Sequence, residues 1–179
     1  VHEIRYVELS KDERKAYETM KNDLVLQFEN ETILATSALV ECMKLRQLTS
    51  GFCYGDDANQ TGTSKLVELK DLLEEIGDKQ VIIWANFRFE IAKLLEMIPN
   101  SAALWSGTPD REQVISDFKS GKMQYLIANP QSAAHGLTFT NCNYAVYFSL
   151  NYSYELQKQS EDRIHRLGQN TKCTYYHLI

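Results

Sequence analysis

Between Ser64 and the end of the chain, apolar strand-like runs alternate with amphipathic segments, and this alternation constrains the fold more than any other feature. The run at residues 80–85 is apolar almost throughout, as in a strand that is buried on both faces. Further strand-like runs occupy residues 102–105, 124–128, 144–149 and 173–179, and helices are predicted at 64–76, 86–97, 110–119 and from 153 through 166. Strands that alternate with helices form βαβ units. The sequence therefore predicts an α/β domain with a mostly parallel sheet covered by helices on both faces.

The part of the chain before Ser64 follows a different pattern. Residues 4–9 alternate as in a short strand, and Ser10 with Glu13 forms a capping box at the start of a helix predicted over residues 11–28. A second helix is predicted over residues 33–48, and the Gly-, Asp- and Thr-rich stretch that follows indicates a surface loop. We therefore expect an N-terminal strand and helical appendage at 1–50, a linker at 51–63 and the α/β domain at 64–179.

Composition narrows the class of protein. The 179 residues are 44% hydrophobic, which suffices for a core. Because the sequence has no run of about eighteen apolar residues and no signal-peptide pattern, we expect a cytoplasmic protein without a membrane partner. The four cysteines and four histidines form no CxxC or HExxH pattern, so we expect no metal site. The chain begins without Met and stops inside a predicted strand, so we expect a piece of a longer protein.

Polar residues follow the predicted strands at the positions where parallel sheets bind ligands. Asn86 follows the first strand, Gly107 and Thr108 follow the second, and residues 129–136 follow the third. The net charge of −5 argues against bulk attraction to nucleic acid but leaves room for a local basic face.

A stretch near the end of the chain carries the most specific chemistry. Gln159, Arg163 and Arg166 are spaced four and three residues apart, so a helix would place them on one side. Arginine stays charged and presents planar donors that suit phosphate oxygens. The alternative is a surface helix whose arginines pair with neighbouring carboxylates, an arrangement that is common and weak.

The sequence lacks any motif that would hold a nucleotide. It contains no GxxxxGK followed by Ser or Thr, no GxGxxG after a strand, and no acidic pair for magnesium at a strand end. The arginines therefore suggest arginine fingers that reach across a cleft to a partner domain holding the nucleotide.

Residues 159–169 resemble motif VI of helicase superfamily two, in its Swi/Snf-like branch of double-stranded DNA translocases and remodellers. Residues 81–87 look like motif IV, and residues 129–139 occupy the place of motif V. Further similarity covers residues 45–51, 64–73 and 105–118, so the resemblance spans most of the chain in the expected order. In motif V only Gly136 and Leu137 match well, and a His before that Gly is similar to prophage-type members of the branch.

The resemblance implies the second RecA-like lobe of a two-lobe motor, a three-layer fold without its own P-loop. ATP and Mg²⁺ would be bound mainly through the first lobe of the same polypeptide, which is absent from this chain, and the isolated chain would be inactive. Arg163 and Arg166 would be catalytic, and ATP would also contact Gln159 and Gly136. The residues expected to contact double-stranded DNA are Asn86, Gly107, Thr108, Gln131 and His135.

Two alternatives stay open. An RNA helicase lobe is disfavoured because such lobes more often contain HRxGRxxR, which this sequence lacks. A non-enzymatic adaptor that kept the helicase-lobe fold is possible because fold alone does not determine function.

Overall fold

A computed structural model describes residues 1–132 and 137–179, which contain ten strands and six helices. The strands are β1 (His2–Arg5), β2 (Val25–Gln27), β3 (Thr32–Leu34), β4 (Phe52–Tyr54), β5 (Ala58–Gln60), β6 (Val81–Trp84), β7 (Ser101–Leu104), β8 (Tyr125–Ala128), β9 (Tyr144–Tyr147) and β10 (Thr174–Leu178). The helices are α1 (Lys11–Asp23), α2 (Ala38–Thr49), α3 (Ser64–Ile76), α4 (Arg88–Met97), α5 (Arg111–Lys119) and α6 (Tyr154–Glu161). The chain divides into two compact units, one of residues 1–6 and 72–179 and one of residues 7–71.

The larger unit is built on a six-stranded sheet within the described residues, in the order β1-β10-β9-β6-β8-β7. Every neighbouring pair in this sheet is parallel. Helices flank the sheet, which confirms the predicted α/β, RecA-like fold. Because β6 lies between β8 and β9, the strand order reverses there, and the carboxyl ends of these strands frame the crevice where such sheets bind ligands.

The core of the larger unit explains why β6 is so apolar. All four of its residues, Val81–Trp84, are buried. Ile82 and Trp84 point to the face that also carries Phe118 from α5 and Ile164, which follows α6. A strand in the middle of a covered sheet has no solvent-facing side, so its sequence is a continuous apolar run.

The ends of several elements agree with the sequence analysis. Helix α3 covers Ser64–Ile76 as predicted, and Gly77 follows it with φ of 74°. Helix α5 is capped by Asp110, whose side chain accepts a hydrogen bond from the Gln113 amide. Both ends thus follow from residues that stabilise helix termini.

The smaller unit differs from the sequence prediction in three places: the end of the first helix, the start of the second helix, which is Ala38 and not residue 33, and the predicted loop. Helix α1 ends at Asp23, not near residue 28, because Leu24 takes the left-handed conformation with φ of 57°. The hairpin β2–β3 follows and buries one residue from each strand, Leu26 and Ile33. The predicted loop at 51–63 contains a second hairpin, β4–β5, whose Phe52 and Cys53 are fully buried.

The first strand is also placed differently from the prediction. It covers His2–Arg5 and pairs in parallel with β10 at the edge of the large sheet. Its partner strand comes from the opposite end of the sequence, so no local pattern could reveal the pairing. Among the described residues, no helix is long and apolar enough to cross a membrane.

Candidate functional site

The carboxyl ends of β6 and β9 are joined by polar contacts around a buried carboxylate. The Asn86 amide N–H donates to Ser149 Oγ at 3.1 Å, and Asn86 Nδ2 donates to the Ser149 carbonyl at 2.7 Å. Glu90, from the first turn of α4, is 1% exposed and accepts hydrogen bonds from the Asn86 amide at 2.9 Å and from Ser149 Oγ at 2.7 Å. These contacts fix the two strand ends relative to each other, since a buried donor that lost its acceptor would be costly.

Asn129 extends this arrangement to the end of β8. Its Nδ2 donates to the carbonyls of Ala85 and Asn86 at 3.3 and 3.2 Å. Its Oδ1 accepts from the backbone amides of Gln131 at 3.0 Å and Ser132 at 3.3 Å, which folds the chain into a turn. The predicted site residue Gln131 is therefore held by its backbone, and Asn86 and Gln131 lie close together on neighbouring strand ends.

The loop after β7 is tied to the same edge of the sheet. Thr108 Oγ1 donates to the Ala103 carbonyl at 2.8 Å and accepts from the Trp105 amide at 2.9 Å. Arg111 donates to the Trp105 carbonyl at 2.9 Å and to the Ser132 carbonyl at 2.7 Å. The structure thus connects the predicted site residue Thr108 to the loop after β8 through Arg111.

Gly107 is exposed and lies against the ring of Trp105. A Cβ atom at this position would approach the indole carbon Cζ2 to 2.5 Å, which is closer than real Cβ atoms come to other atoms. The guanidinium of Arg88 lies over the same ring, 5.5 Å from its centroid. A larger residue at this position would therefore require the Trp105 ring to move.

The prediction that Arg163 and Arg166 lie on a helix is wrong. Helix α6 ends at Glu161, and residues 162–168 form turns. The amides of Arg163 and Ile164 each donate to the carbonyl three residues earlier, at 3.2 Å, so the chain leaves the α-helical pattern here. The Arg163 carbonyl accepts a hydrogen bond from the Phe139 amide at 2.7 Å. The residues beyond Glu161 also lack one buried helix face, because Ile164 is fully buried whereas Leu167, three residues on, is 99% exposed.

Gln159 is separated from the arginines by this helix end. It lies within α6, half-buried, and its Nε2 donates to Glu155 Oε1 at 3.1 Å. The expected single face shared by Gln159 and the two arginines is therefore not formed. Any part that Gln159 has in binding ATP stays a prediction.

The guanidinium of Arg163 is held inside the protein. Its side chain is only 9% exposed, and Nη1 donates to the Leu137 carbonyl at 3.2 Å. Burial lowers the pKa of Arg163, the nearby charge of Arg166 lowers it further, and Asp162 opposes the shift. Since an arginine pKa lies far above neutrality, the group stays charged. The combination favours an anionic ligand, which would offset the repulsion between the two cations.

Arg166 is exposed and anchored next to Arg163. Its Nη1 donates to Thr138 Oγ1 at 2.9 Å, one residue beyond the Leu137 carbonyl that Arg163 contacts. The turn that carries Arg166 is closed by Gln169, whose Nε2 donates to the carbonyl oxygens of Ile164 and Cys142. The structure therefore brings the two predicted catalytic arginines together, although not on a helix.

Two predicted site residues, His135 and Gly136, lie outside the described residues. Among the residues that are described, no group of three or more His, Cys, Asp or Glu side chains could hold a metal ion. The arginine pair is a set of cationic donors, which fits phosphate oxygens and does not fit Mg²⁺. Within the described part of the chain, the residues therefore fit the phosphates of ATP better than its metal.

A sequence profile described as "Helicase conserved C-terminal domain" matches residues 64–168, which include β6 to β9 and both arginines. The chain belongs to this family. The helicase C-terminal domain thus contains the whole network at the strand ends.

Several curated proteins are similar to this chain over most of the chain's length. Putative protein p41 of Acyrthosiphon pisum secondary endosymbiont phage 1 is 28% identical over all of this chain, which spans 40% of that protein. An uncharacterised ATP-dependent helicase of Mycoplasma genitalium is 24% identical over 97% of this chain, which spans 18% of it. ATP-dependent RNA helicase RhlB of Pseudoalteromonas atlantica is 28% identical over 86% of this chain. The chain therefore spans less than half the length of these proteins.

A solved structure shares the fold. The C-terminal part of the Fun30 ATPase domain matches with a TM-score of 0.70 and 15% identity, covering 99% of this chain and 84% of that one. At this identity the match supports the RecA-like fold alone.

Sequence analysis missed three residues that shape the site. Glu90, Arg111 and Thr138 each make contacts that fix a predicted site residue or its loop. Glu90 had one local signal, since it lies in the first turn of a helix that begins directly after a buried strand. The other two act through partners on distant segments of the sequence, which spacing does not reveal.

Proposed function

We propose that this chain is the second motor lobe of a Swi/Snf-like ATPase that is stimulated by double-stranded DNA. Its first RecA-like lobe would bind ATP and Mg²⁺, and Arg163 and Arg166 would reach the phosphates across the cleft. The observation that carries this proposal is the arginine pair, anchored at Leu137 and Thr138 inside a helicase C-terminal domain whose sequence has no P-loop.

The two arginines would bind the phosphates in different ways, because Arg163 is buried and Arg166 is exposed. The buried Arg163 is fixed by the Leu137 carbonyl, so its guanidinium is oriented before a ligand arrives. The exposed Arg166 has greater freedom, and its bond to the hydroxyl of Thr138 places the guanidinium without neutralising its charge. Pre-oriented positive charge stabilises the charge that develops on a transferring phosphoryl group. Bound Mg²⁺ would neutralise part of the phosphate charge from the side of the first lobe.

The predicted nucleic-acid face lies at the loops after β6, β7 and β8. Gly107 and Thr108 lie on one loop, and Arg111 connects that loop to residues 131–132. Asn86 has its backbone and side-chain groups in hydrogen bonds within the protein, so a contact with DNA would have to share them. A contact of His135 with DNA stays a prediction, as does the contact of Gly136 with ATP.

Two of the relatives support the Swi/Snf-like branch of helicases, and one supports an RNA helicase lobe. Chromatin-remodeling ATPase INO80 of Vanderwaltozyma polyspora is 23% identical over 66% of this chain, and ATP-dependent helicase fft1 of Schizosaccharomyces pombe is 26% identical over 65%. The similarity to RhlB keeps an RNA helicase lobe as the second candidate. The similarity to a phage protein accords with a prophage-type origin.

The test compares double-stranded DNA, single-stranded DNA and RNA as stimulators of ATP hydrolysis by the full-length protein. We expect double-stranded DNA to stimulate most, and Arg166→Ala to remove the stimulated activity. Arg14→Ala, which removes an exposed arginine from α1, is the matched control and should behave as wild type. Stimulation by RNA alone would favour the RNA helicase lobe, and full activity of Arg166→Ala would overturn the proposed function.

A further inference from the structure

We propose that Glu90 is a positioning residue that links the carboxyl end of β6 to the start of α6, and through α6 to Arg163 and Arg166. This role rests on the proposed function of the two arginines. Glu90 itself would contact neither ATP nor nucleic acid, because it is 1% exposed.

The first step of the link is the orientation of the Glu90 carboxylate. Its Oε2 atom accepts hydrogen bonds from the backbone amides of Asn86 at 2.9 Å and Phe87 at 3.1 Å, and from Ser149 Oγ at 2.7 Å. Three donors bond one buried oxygen, so the carboxylate has little freedom to rotate. Rotation would leave a buried donor without its acceptor, which is costly. Glu90 therefore fixes both strand ends at one point.

The second step leads from the strand ends to α6. Asn86 Oδ1 accepts from Asn151 Nδ2 at 3.2 Å, and Asn151 Oδ1 accepts from the Ser153 amide at 3.0 Å. Ser153 is the cap of α6, with its Oγ accepting from the Leu156 amide at 3.2 Å. A continuous set of hydrogen bonds thus leads from Glu90 to the first turn of the helix.

The third step is the helix itself. Helix α6 has only eight residues, so a shift at its first turn is carried to its end. There the Arg163 amide donates to the Ser160 carbonyl at 3.2 Å, and Ser160 Oγ lies 2.6 Å from Tyr147 Oη. The start of α6 is thus held through the loop residues Asn86 and Asn151, and its end by Tyr147 of β9. Loss of the anchor at the start would leave α6 held mainly at its end, with the arginine turn directly beyond it.

The link is tested by hydrogen exchange on the chain of residues 1–179 without nucleotide. Glu90→Ala should speed exchange at the Leu156 and Gln157 amides, whereas Glu90→Gln should restore much of the protection, because its amide oxygen still accepts from backbone donors. Glu96→Ala, which changes an exposed glutamate of the same helix, is the control. Faster exchange confined to residues 86–91 would overturn the link.

The catalytic consequence is tested in the full-length protein. Glu90→Ala should lower kcat by up to about 100-fold, the scale of a misplacement of about 1 Å, with a much smaller change in the KM for ATP. Glu90→Gln should recover most of the loss. An unchanged kcat for Glu90→Ala would overturn the positioning role. Full activity of Arg166→Ala would instead overturn the proposed function, and the exchange result would still decide whether Glu90 is linked to α6.

Discussion

Arg163 donates a hydrogen bond from Nη1 to the carbonyl oxygen of Leu137 at 3.2 Å, and Arg166 donates to the side chain of the next residue, Thr138, at 2.9 Å. The two arginines are thus anchored on consecutive residues at the end of the segment that resembles motif V. A displacement of that segment would move both guanidiniums together. This gives a physical route by which a change in the loop could alter the arginines' contact with a phosphate.

Replacing Arg163 should lower the free energy of unfolding, whereas replacing Arg166 should not. In the full-length protein, the proposed function requires that Arg163→Ala and Arg166→Ala each lower ATP turnover by roughly 10³-fold or more, the scale of the loss of an arginine finger. In the chain of residues 1–179, Arg163→Ala should also cost about 1–3 kcal/mol, because it removes a buried donor and its packing. The exposed Arg166→Ala should change stability by less than about 0.5 kcal/mol. Steady-state kinetics and urea denaturation measure the two effects, and equal destabilisation by both variants would contradict the prediction.

Thr138 should matter through its hydroxyl group. Thr138→Val keeps the shape but removes the acceptor of Arg166, so we expect about a tenfold loss of kcat, the effect of about 1.4 kcal/mol. Thr138→Ser keeps the hydroxyl and should retain most of the activity. If the Val variant turns over ATP as fast as wild type, the hydrogen bond in the free chain has no part in placing Arg166.

Gly107→Ala should displace the Trp105 ring. The new Cβ would lie 2.5 Å from the indole, so the ring must move, and its contact with Arg88 would be lost. We expect a change in tryptophan fluorescence of the chain and weaker DNA binding by the full-length protein. Ser106→Ala, at the exposed neighbouring position, is the control and should leave both unchanged. Unaltered fluorescence in Gly107→Ala would show that the ring does not pack on this loop.

The cysteines should react with a thiol reagent at very different rates. Cys42 is exposed, whereas Cys53, Cys142 and Cys173 are buried. Burial raises the pKa of Cys142 to about 12 and that of Cys53 to about 11, so thiolate is scarce at pH 8. A disulfide reagent at pH 8 should therefore modify one of the four thiols quickly in the native chain and all four in urea. Cys42→Ser should remove the fast phase, and a second fast thiol would contradict this structure.

The sequence predicted the structure correctly where residues that are close in sequence determine it. The buried run at Val81–Trp84 follows from apolar periodicity and the end of helix α3 from Gly77, and the structure confirms both. The left-handed Leu24 shows the limit of such rules, because nothing in its residue type ends a helix. There the burial of Leu26 and Ile33 in a hairpin outweighed helix propensity.

In the candidate site, too, features set by local sequence were predicted and features set by distant contacts were not. Spacing and motif predicted that Arg163 and Arg166 belong to one site. They did not predict the backbone conformation of the two residues. The turn after α6 is held by a hydrogen bond to the Arg163 carbonyl from the amide of Phe139, which precedes β9 in the sequence. Glu90 was missed for a related reason, since its importance comes from its bond to Ser149, which follows a different strand.

The acid stability of the smaller unit should depend on Glu13. This carboxylate is 1% exposed and accepts hydrogen bonds from the Ser10 and Ser64 amides and from the Ser64 hydroxyl. Burial alone would raise its pKa, but the hydrogen bonds from Ser64 and Ser10 outweigh burial and hold the pKa below its ordinary value of 4.5. A carboxyl whose pKa is lower in the folded state stabilises the fold above the unfolded pKa, and this stability is lost as pH falls through the folded pKa.

We therefore expect the urea midpoint of the chain of residues 1–179 to fall between pH 5 and pH 3, and Glu13→Gln to weaken that dependence. Glu13→Gln should be less stable than wild type at pH 7, where the charge-assisted bonds are complete, and the two should converge in acid. Glu18→Gln, an exposed change on the same helix, should retain the wild-type pH dependence. If Glu13→Gln lost stability in acid as steeply as wild type, the acid sensitivity would have to come from other carboxylates.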